Sequence, residues 1–163
     1  MLLKTTYQSP LGVMTILADE HFLLGCWFDG QKYFGAHYDL TTIPHGENTI
    51  LKQTKNWLAQ YFAGQNPNPK SLPIKIVGTP YQQKILRTLI TVPYGHTISY
   101  QDLANLANHH QPAAARPVGH AVSHNPFLII IPCHRVIGSR GKITGYAAGI
   151  ERKITLLQLE KLK

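Results

Sequence analysis

At 163 residues, 44% apolar and 15% charged, the chain is long enough for one large or two small domains and too apolar for a disordered segment. No apolar run approaches the ~18 residues that a membrane span requires, and Met1–Tyr7 lacks a basic segment followed by a signal-type core, so a cytoplasmic protein is expected. The net charge of +8 is uneven: residues 1–76 carry 6 Lys/Arg against 5 Asp/Glu, and residues 77–163 carry 10 against 3, which favours a nucleic-acid partner over a uniformly basic surface.

In the first half, turn signals at Ser9-Pro10, Gly12 and Asp19-Glu20 separate two apolar segments, 13–18 and 22–28, which read as a hairpin. From Asn48 to Ala63 the residues Ile50, Leu51, Thr54, Trp57, Leu58, Tyr61 and Phe62 share one face of an amphipathic helix, and Gly64 follows its end. Gln65–Lys70 is a linker by composition. This half offers no catalytic constellation, and Cys26 beside Trp27 reads as a core strand residue.

The second half opens with Thr79 as N-cap, Pro80 at the first helical position and Gln82 completing a capping box. Ile85, Leu86, Leu89 and Ile90 form the buried stripe before Pro93-Tyr94-Gly95. Ser99 through Asp102 repeats the capping signal for a short helix over about 100–107, and a turn follows through Asn108–Gln111. Because proline in a helix interior costs about 3 kcal/mol, the next helix is expected to begin at Pro117 with Arg116 at its mouth. Two short helices joined by a turn in the basic half suggest a helix-turn-helix, with an ordinary helical hairpin as the alternative. Small residues on the second helix permit close approach to a shallow groove, and an arginine at its start can insert between bases.

Asn125–Ile131 is an apolar, β-branched run bounded by Pro126 and Pro132, which reads as a short buried strand. Directly after it stand Cys133, His134 and Arg135. An imidazole and a guanidinium beside a thiol can lower its pKa from about 8.5 and make a nucleophile; an inert core cysteine has no need of either. Two distant cysteines fit a reducing compartment and are too few for a thiolate-rich zinc site. The closing segment from Ile150 reads as a helix ending near Glu160, with Ile154, Leu157 and Leu159 as its apolar positions; by itself Glu160 reads as a solvated helix residue.

Pro132-Cys133-His134-Arg135-Val136, with Asn125-Pro126 before it, resembles the signature of the O6-alkylguanine-DNA alkyltransferases, also called methylated-DNA–protein-cysteine methyltransferases. Ser9-Pro10-Leu11-Gly12 is similar to the first turn of that family's N-terminal domain. The resemblance implies an α/β N-terminal domain over 1–76 (a small antiparallel sheet with a helix) and a mainly helical C-terminal domain over 77–163 containing a DNA-binding helix-turn-helix. It implies single-turnover alkyl transfer, chiefly of methyl, from the O6 of guanine, and from the O4 of thymine, to Cys133, without metal or cofactor.

Glu160, 27 residues after Cys133, matches the family glutamate that orients His134, which reaches the thiol through a water. Tyr100 matches the tyrosine whose hydroxyl assists the leaving guanine, Arg116 the arginine that fills the vacated stack, and Asn125 the residue tying the helix-turn-helix to the active-site segment. Tyr146 matches a pocket wall, and Val136 and Ala147 offer backbone contacts to the base. Ala115, Pro117, Gly119 and Ser123 belong to the DNA-facing helix. The implied partner is double-stranded DNA carrying O6-alkylguanine, bound through the minor groove by a monomer with no obligate protein partner and no membrane. Two departures stand out. Tyr81 and Leu86 replace a more usual aromatic pair, which concerns packing, and Ala148 replaces the first of two glycines, where an added methyl is expected to narrow the pocket. A lesion sensor of the same superfamily lacks the thiol that this chain has; a turnover thiol hydrolase and a plain helix-turn-helix regulator are further readings.

Overall fold

The computed structural model describes residues 1–161. The chain divides into two compact units, the first built from Met1–Lys75 and Pro126–Leu128, the second from Ile76–Asn125 and the chain from Ile129 onward. Among the described residues no helix is long and apolar enough to cross a membrane.

In the first unit, β1 (Leu3–Ser9), β2 (Gly12–Ala18) and β3 (Leu23–Phe28) form an antiparallel sheet in chain order. β2 and β3 are the expected hairpin. β1 lies outside it because its alternation runs through Thr5 and Tyr7, with Leu3 the one aliphatic residue on that strand. Helix α1 (Thr49–Phe62) packs on β1 and β2 and buries Ile50, Leu51, Thr54, Trp57, Leu58 and Tyr61. Each large apolar side chain so buried contributes roughly 1.5–3 kcal/mol. The Asn48 side chain accepts from the Leu51 N–H at 2.8 Å, satisfying one donor that the first turn leaves open. The 65–70 segment, expected as a linker, is tied down: the Trp57 indole donates to the Asn68 carbonyl at 3.0 Å, and Asn68 caps a 3₁₀ turn over Pro69–Ser71.

The 125–131 run is not a strand. Only Phe127 pairs, with Cys26: the Cys26 N–H donates to the Pro126 carbonyl at 2.8 Å and the Leu128 N–H to the Cys26 carbonyl at 2.9 Å. The chain then turns, with Ile129 at φ +72°. A β-branched residue in the left-handed region costs about 1–3 kcal/mol and persists where its surroundings dictate it; Phe127 to Ile131 are all essentially buried. A fully buried apolar run has no polar side to reveal its period, so a buried turn and a buried strand look alike in sequence.

The second unit follows its local signals closely. In α2 (Pro80–Leu89) the Thr79 hydroxyl accepts from the Gln82 N–H at 3.1 Å, while the Gln82 amide donates to the His124 carbonyl at 3.4 Å, so only half of the capping box forms. Ile98–Ser99 (β4) pairs in parallel with Val136–Ile137 (β5). Ser99 caps α3 (Tyr100–Ala107) by accepting from the Asp102 N–H at 3.0 Å. Asn105 accepts from the Ala113 N–H at 3.0 Å to brace the turn into α4 (Arg116–Ser123). Helix α4 begins at Arg116, one residue before the expected Pro117, and Pro117 sits in its first turn, where its missing N–H breaks no bond.

Helix α5 (Ile150–Lys161) overturns the reading of Glu160, by itself, as a solvated helix residue. Its buried residues are Lys153, Leu156 and Glu160, spaced at helical period, while Ile154 is exposed and, with Leu157, lines an open cavity of about 360 Å³ against Ile137 and Ile143. The charged residues face inward because they have partners there.

Both tryptophans, Trp27 and Trp57, lie in the first unit. Replacing Asn48 with Ala is therefore expected to lower the denaturant midpoint followed by tryptophan fluorescence, with a loss of about 1 kcal/mol and an unchanged slope.

Candidate active site

Cys133 opens a short 3₁₀ turn, Cys133–Arg135, immediately after Pro132. Pro132 adopts φ −81° and ψ 65°, the geometry of an inverse γ-turn, and the Cys133 N–H closes it onto the Ile131 carbonyl at 2.8 Å. That carbonyl also accepts the Asn125 side-chain amide at 2.9 Å. Asn125 follows the end of α4 by two residues, so one side chain couples that helix to the backbone holding the thiol. Cys133 is 3% exposed. Burial pushes its thiol up to about 11, against the opposing pull of a hydrogen bond from Asn125, the Lys153 charge and a hydrogen bond from Tyr146. The expectation that its sequence neighbours lower the pKa is thus outweighed by desolvation, and the favourable groups come mostly from elsewhere in the chain.

His134 is fully buried, and its Nε2 lies 2.5 Å from Glu160 Oε2. Burial holds the imidazole below its usual value despite the carboxylate. Burial alone would raise the Glu160 carboxyl, yet bonds from His134 and Arg135 hold it well below the usual range. With Glu160 ionised, Nε2 carries the proton, and Nδ1 becomes the basic nitrogen. Arg135 does not serve the thiol. Its Nε donates to Glu160 Oε1 at 2.8 Å, its Nη2 to Oε2 at 3.2 Å, and its Nη1 to the Val92 carbonyl at 2.7 Å, with the guanidinium over the Tyr94 ring. The Gly95 N–H adds a further bond to Oε1 at 3.2 Å.

Lys153 was not anticipated. It is completely buried, and its ammonium reaches the carbonyls of Thr144 and Gly145 at 3.4 and 3.3 Å. Burial lowers its pKa to about 8, partly offset by attraction to Cys133. The readable signal was its position seven residues before Glu160, two helical turns away on the same face. The segment that Lys153 supports continues into Tyr146, Ala147 and Ala148. Tyr146 and Ala147 are half-buried and Ala148 is buried, its carbonyl accepting from Arg152 at 3.2 Å. Tyr100, the first residue of α3, places its hydroxyl 3.1 Å from that of Thr144. Val136 is buried in β5, and its N–H donates to the Cys133 carbonyl.

The residues singled out in the sequence therefore fall into two groups. His134 and Glu160 share a direct bond, and Asn125 bonds the Ile131 carbonyl two residues before Cys133, with Tyr146, Tyr100, Val136 and Ala147 on adjoining segments. Arg116 and Pro117 are exposed at the start of α4, with Ala115, Gly119 and Ser123 half-buried. A side chain added at Gly119 would meet nothing within 4 Å, so the helix presents an open surface there.

Two family models match in order: the 6-O-methylguanine DNA methyltransferase ribonuclease-like domain over residues 2–76 and the DNA binding domain of the same family over 80–162. The methylated-DNA–protein-cysteine methyltransferase of Mycobacterium tuberculosis is 40% identical over 156 residues, covering 96% of this chain and 90% of the relative. The constitutive one of Bacillus subtilis is 36% identical over 159 residues, covering 97% and 94%. Among solved structures, Mycobacterium tuberculosis OGT in complex with DNA matches with a TM-score of 0.84 at 37% identity, covering 98% of this chain and 92% of that one. The O6-methylguanine-DNA methyltransferase of the archaeon Pyrococcus kodakaraensis matches at 0.70 with 26% identity, covering 98% and 99%. With relatives this similar along nearly its whole length, and both domains of one family present in sequence order, the chain belongs to the methylated-DNA–protein-cysteine methyltransferases.

Proposed function

We propose that this chain repairs DNA by moving an alkyl group, chiefly methyl, from the O6 of guanine, and from the O4 of thymine, onto the sulfur of Cys133. The observation that carries this reading is a buried thiol on a turn that Asn125 braces through the Ile131 carbonyl, next to an imidazole fixed by a buried carboxylate. Such a thiol is closed to bulk solvent and suits a substrate brought to it, as an everted base is. Arg116, exposed at the start of α4, fills the gap that the base leaves in the duplex, and the small residues Ala115, Pro117, Gly119 and Ser123 let the helix approach the minor groove closely.

In the chemical step His134 Nδ1 takes the Cys133 proton, through a bridging water because adjacent side chains seldom face one another. The sulfur attacks the alkyl carbon, the S–C bond forms as the C–O6 bond breaks, and the electron pair passes to the guanine. The Tyr100 hydroxyl bonds the ring nitrogen where negative charge gathers, while Val136 and Ala147 offer backbone groups to the base and Tyr146 closes the pocket. Lys153 supplies the fixed positive charge that favours the thiolate, a role the apolar surroundings enlarge. The product is a thioether, which no group in the site can cleave, so each molecule acts once. The reaction needs no cofactor, and the protein acts as a cytoplasmic monomer on duplex DNA.

Incubation with duplex DNA carrying labelled O6-methylguanine is expected to place one label per chain on Cys133 and none on Cys133→Ser. Label left on DNA would mean a sensor, and label released to solvent with repeated turnover a hydrolase. Lys153→Met is expected to slow transfer at neutral pH about tenfold or more, equivalent to about 1.4 kcal/mol. Loss of the cation raises the thiol pKa, so the rate profile must also move to higher pH; an unmoved profile would reduce Lys153 to a packing role. The same substitution tests a stability linkage. With a folded pKa of about 8 against an ordinary 10.5, the unfolded chain binds more protons between those values. Stability therefore rises with pH across that window, and this rise should vanish in Lys153→Met. Finally, if Ala148 narrows the pocket, O6-benzylguanine in DNA reacts more slowly than O6-methylguanine and Ala148→Gly reduces the difference; equal rates in the unsubstituted chain exclude the narrowing.

A further inference from the structure

From Leu103 to Ile150 the chain has no Asp or Glu, and its Lys/Arg residues are Arg116, Arg135, Arg140 and Lys142. Arg135 is neutralised by Glu160, and Arg116 stands at the start of α4. Arg140 and Lys142 remain. Both are exposed, and among the described residues neither side chain has a hydrogen bond or an ion pair. They sit on a closed turn. The Gly138 N–H donates to the Lys142 carbonyl at 2.8 Å, and the Lys142 N–H to the Ser139 carbonyl at 3.3 Å. A Cβ at Gly138 would lie 2.8 Å from the Thr144 side chain, so the two legs of the turn are in contact. Arg140 holds φ +60° and ψ 28°, a conformation that glycine or asparagine adopts more readily. Keeping another residue there costs on the order of 1–3 kcal/mol, and such strain gathers at functional sites. Both legs lead to the base pocket. Before the turn, β5 pairs with β4, which runs directly into Tyr100; after it, Thr144 meets the Tyr100 hydroxyl and Tyr146 follows.

We propose that Arg140 and Lys142 bind backbone phosphates of the DNA strand that carries the everted nucleotide, beside the mouth of the pocket. This contact rests on the alkyl-transfer reading, and α4 does not supply it. Arg116 and the small residues of α4 act on a duplex, through its stack and its groove. Phosphates flanking an everted base belong to one strand and are present whether or not a complement is paired. Contacts to them fix register and orientation without reading sequence. Two cations with no partner to give up, on a turn already braced, bind such a backbone with little reordering. The guanidinium offers a planar fork to the phosphate oxygens and the ammonium a point charge.

The test is fluorescence anisotropy across a salt series, in a Cys133→Ser parent, with labelled duplex and single-stranded oligonucleotides carrying O6-methylguanine. The logarithm of the affinity falls linearly with that of the salt concentration. Joint Arg140→Gly and Lys142→Ala should make this slope shallower by about 0.9 per contact on the duplex and about 0.7 per contact on the single strand. Arg140→Lys should keep the parent slope. Because glycine accepts the backbone at position 140, Arg140→Gly alone should hold or raise Tm while its DNA affinity falls, a separation that a packing role does not give. Lys52→Ala, exposed on α1, removes one charge elsewhere and should leave the slope unchanged. An unchanged slope in the joint variant, a change confined to the duplex, an equal change in Lys52→Ala, or no DNA binding by the parent overturns the phosphate contact. DNA binding without label on Cys133 of the unsubstituted chain overturns the repair reading instead.

Discussion

One buried carboxylate organises the second unit. Glu160 accepts hydrogen bonds from His134, from two nitrogens of Arg135 and from the Gly95 backbone. Those donors belong to the turn carrying the thiol and to the segment after α2, so a single side chain of α5 fixes the relation among three pieces of chain. Such a charge is stable in the interior only because every bond to it is made; removing one partner leaves the ion buried and under-satisfied, which typically costs several kcal/mol. The tautomer of His134, and with it the identity of the basic nitrogen, is inherited from this arrangement.

The site resolves a conflict between two demands. Attack on an alkyl carbon wants an anionic sulfur, whereas exclusion of water wants an apolar surrounding, and burial alone disfavours the anion. The chain meets both by distributing compensation: an amide from Asn125, a hydroxyl from Tyr146 and an ammonium from Lys153 all act on one atom. None is strong enough to overturn desolvation in the unliganded protein.

Local chemistry was the legible part of the sequence. Thr79 and Ser99 announce their helices because a cap is made by a residue and the N–H groups two or three positions on. The placement of Pro117 in the first turn of α4 followed from sterics alone. The pentapeptide around Cys133 named the chemistry through resemblance. What failed depended on distant partners. Phe127 pairs with Cys26 across about a hundred residues, and nothing near Phe127 encodes where its pairing stops. On α5 Glu160 by itself reads as a solvated residue, and the helix instead turns it and Lys153 to the interior because their partners lie in other segments.

The path of the chain between its two units has a practical consequence. Pro126–Leu128 belong to the sheet of the first unit, although Asn125 before them and Ile129 after them belong to the second. The family boundary near residue 76 is therefore a division of sequence and not of space. A fragment beginning there would carry an apolar triplet torn from its edge, and the complementary fragment would expose the Cys26 backbone to stray strand pairing. Swapping halves between relatives is consequently a three-piece exchange, in which the 126–128 insert must travel with the sheet that it completes.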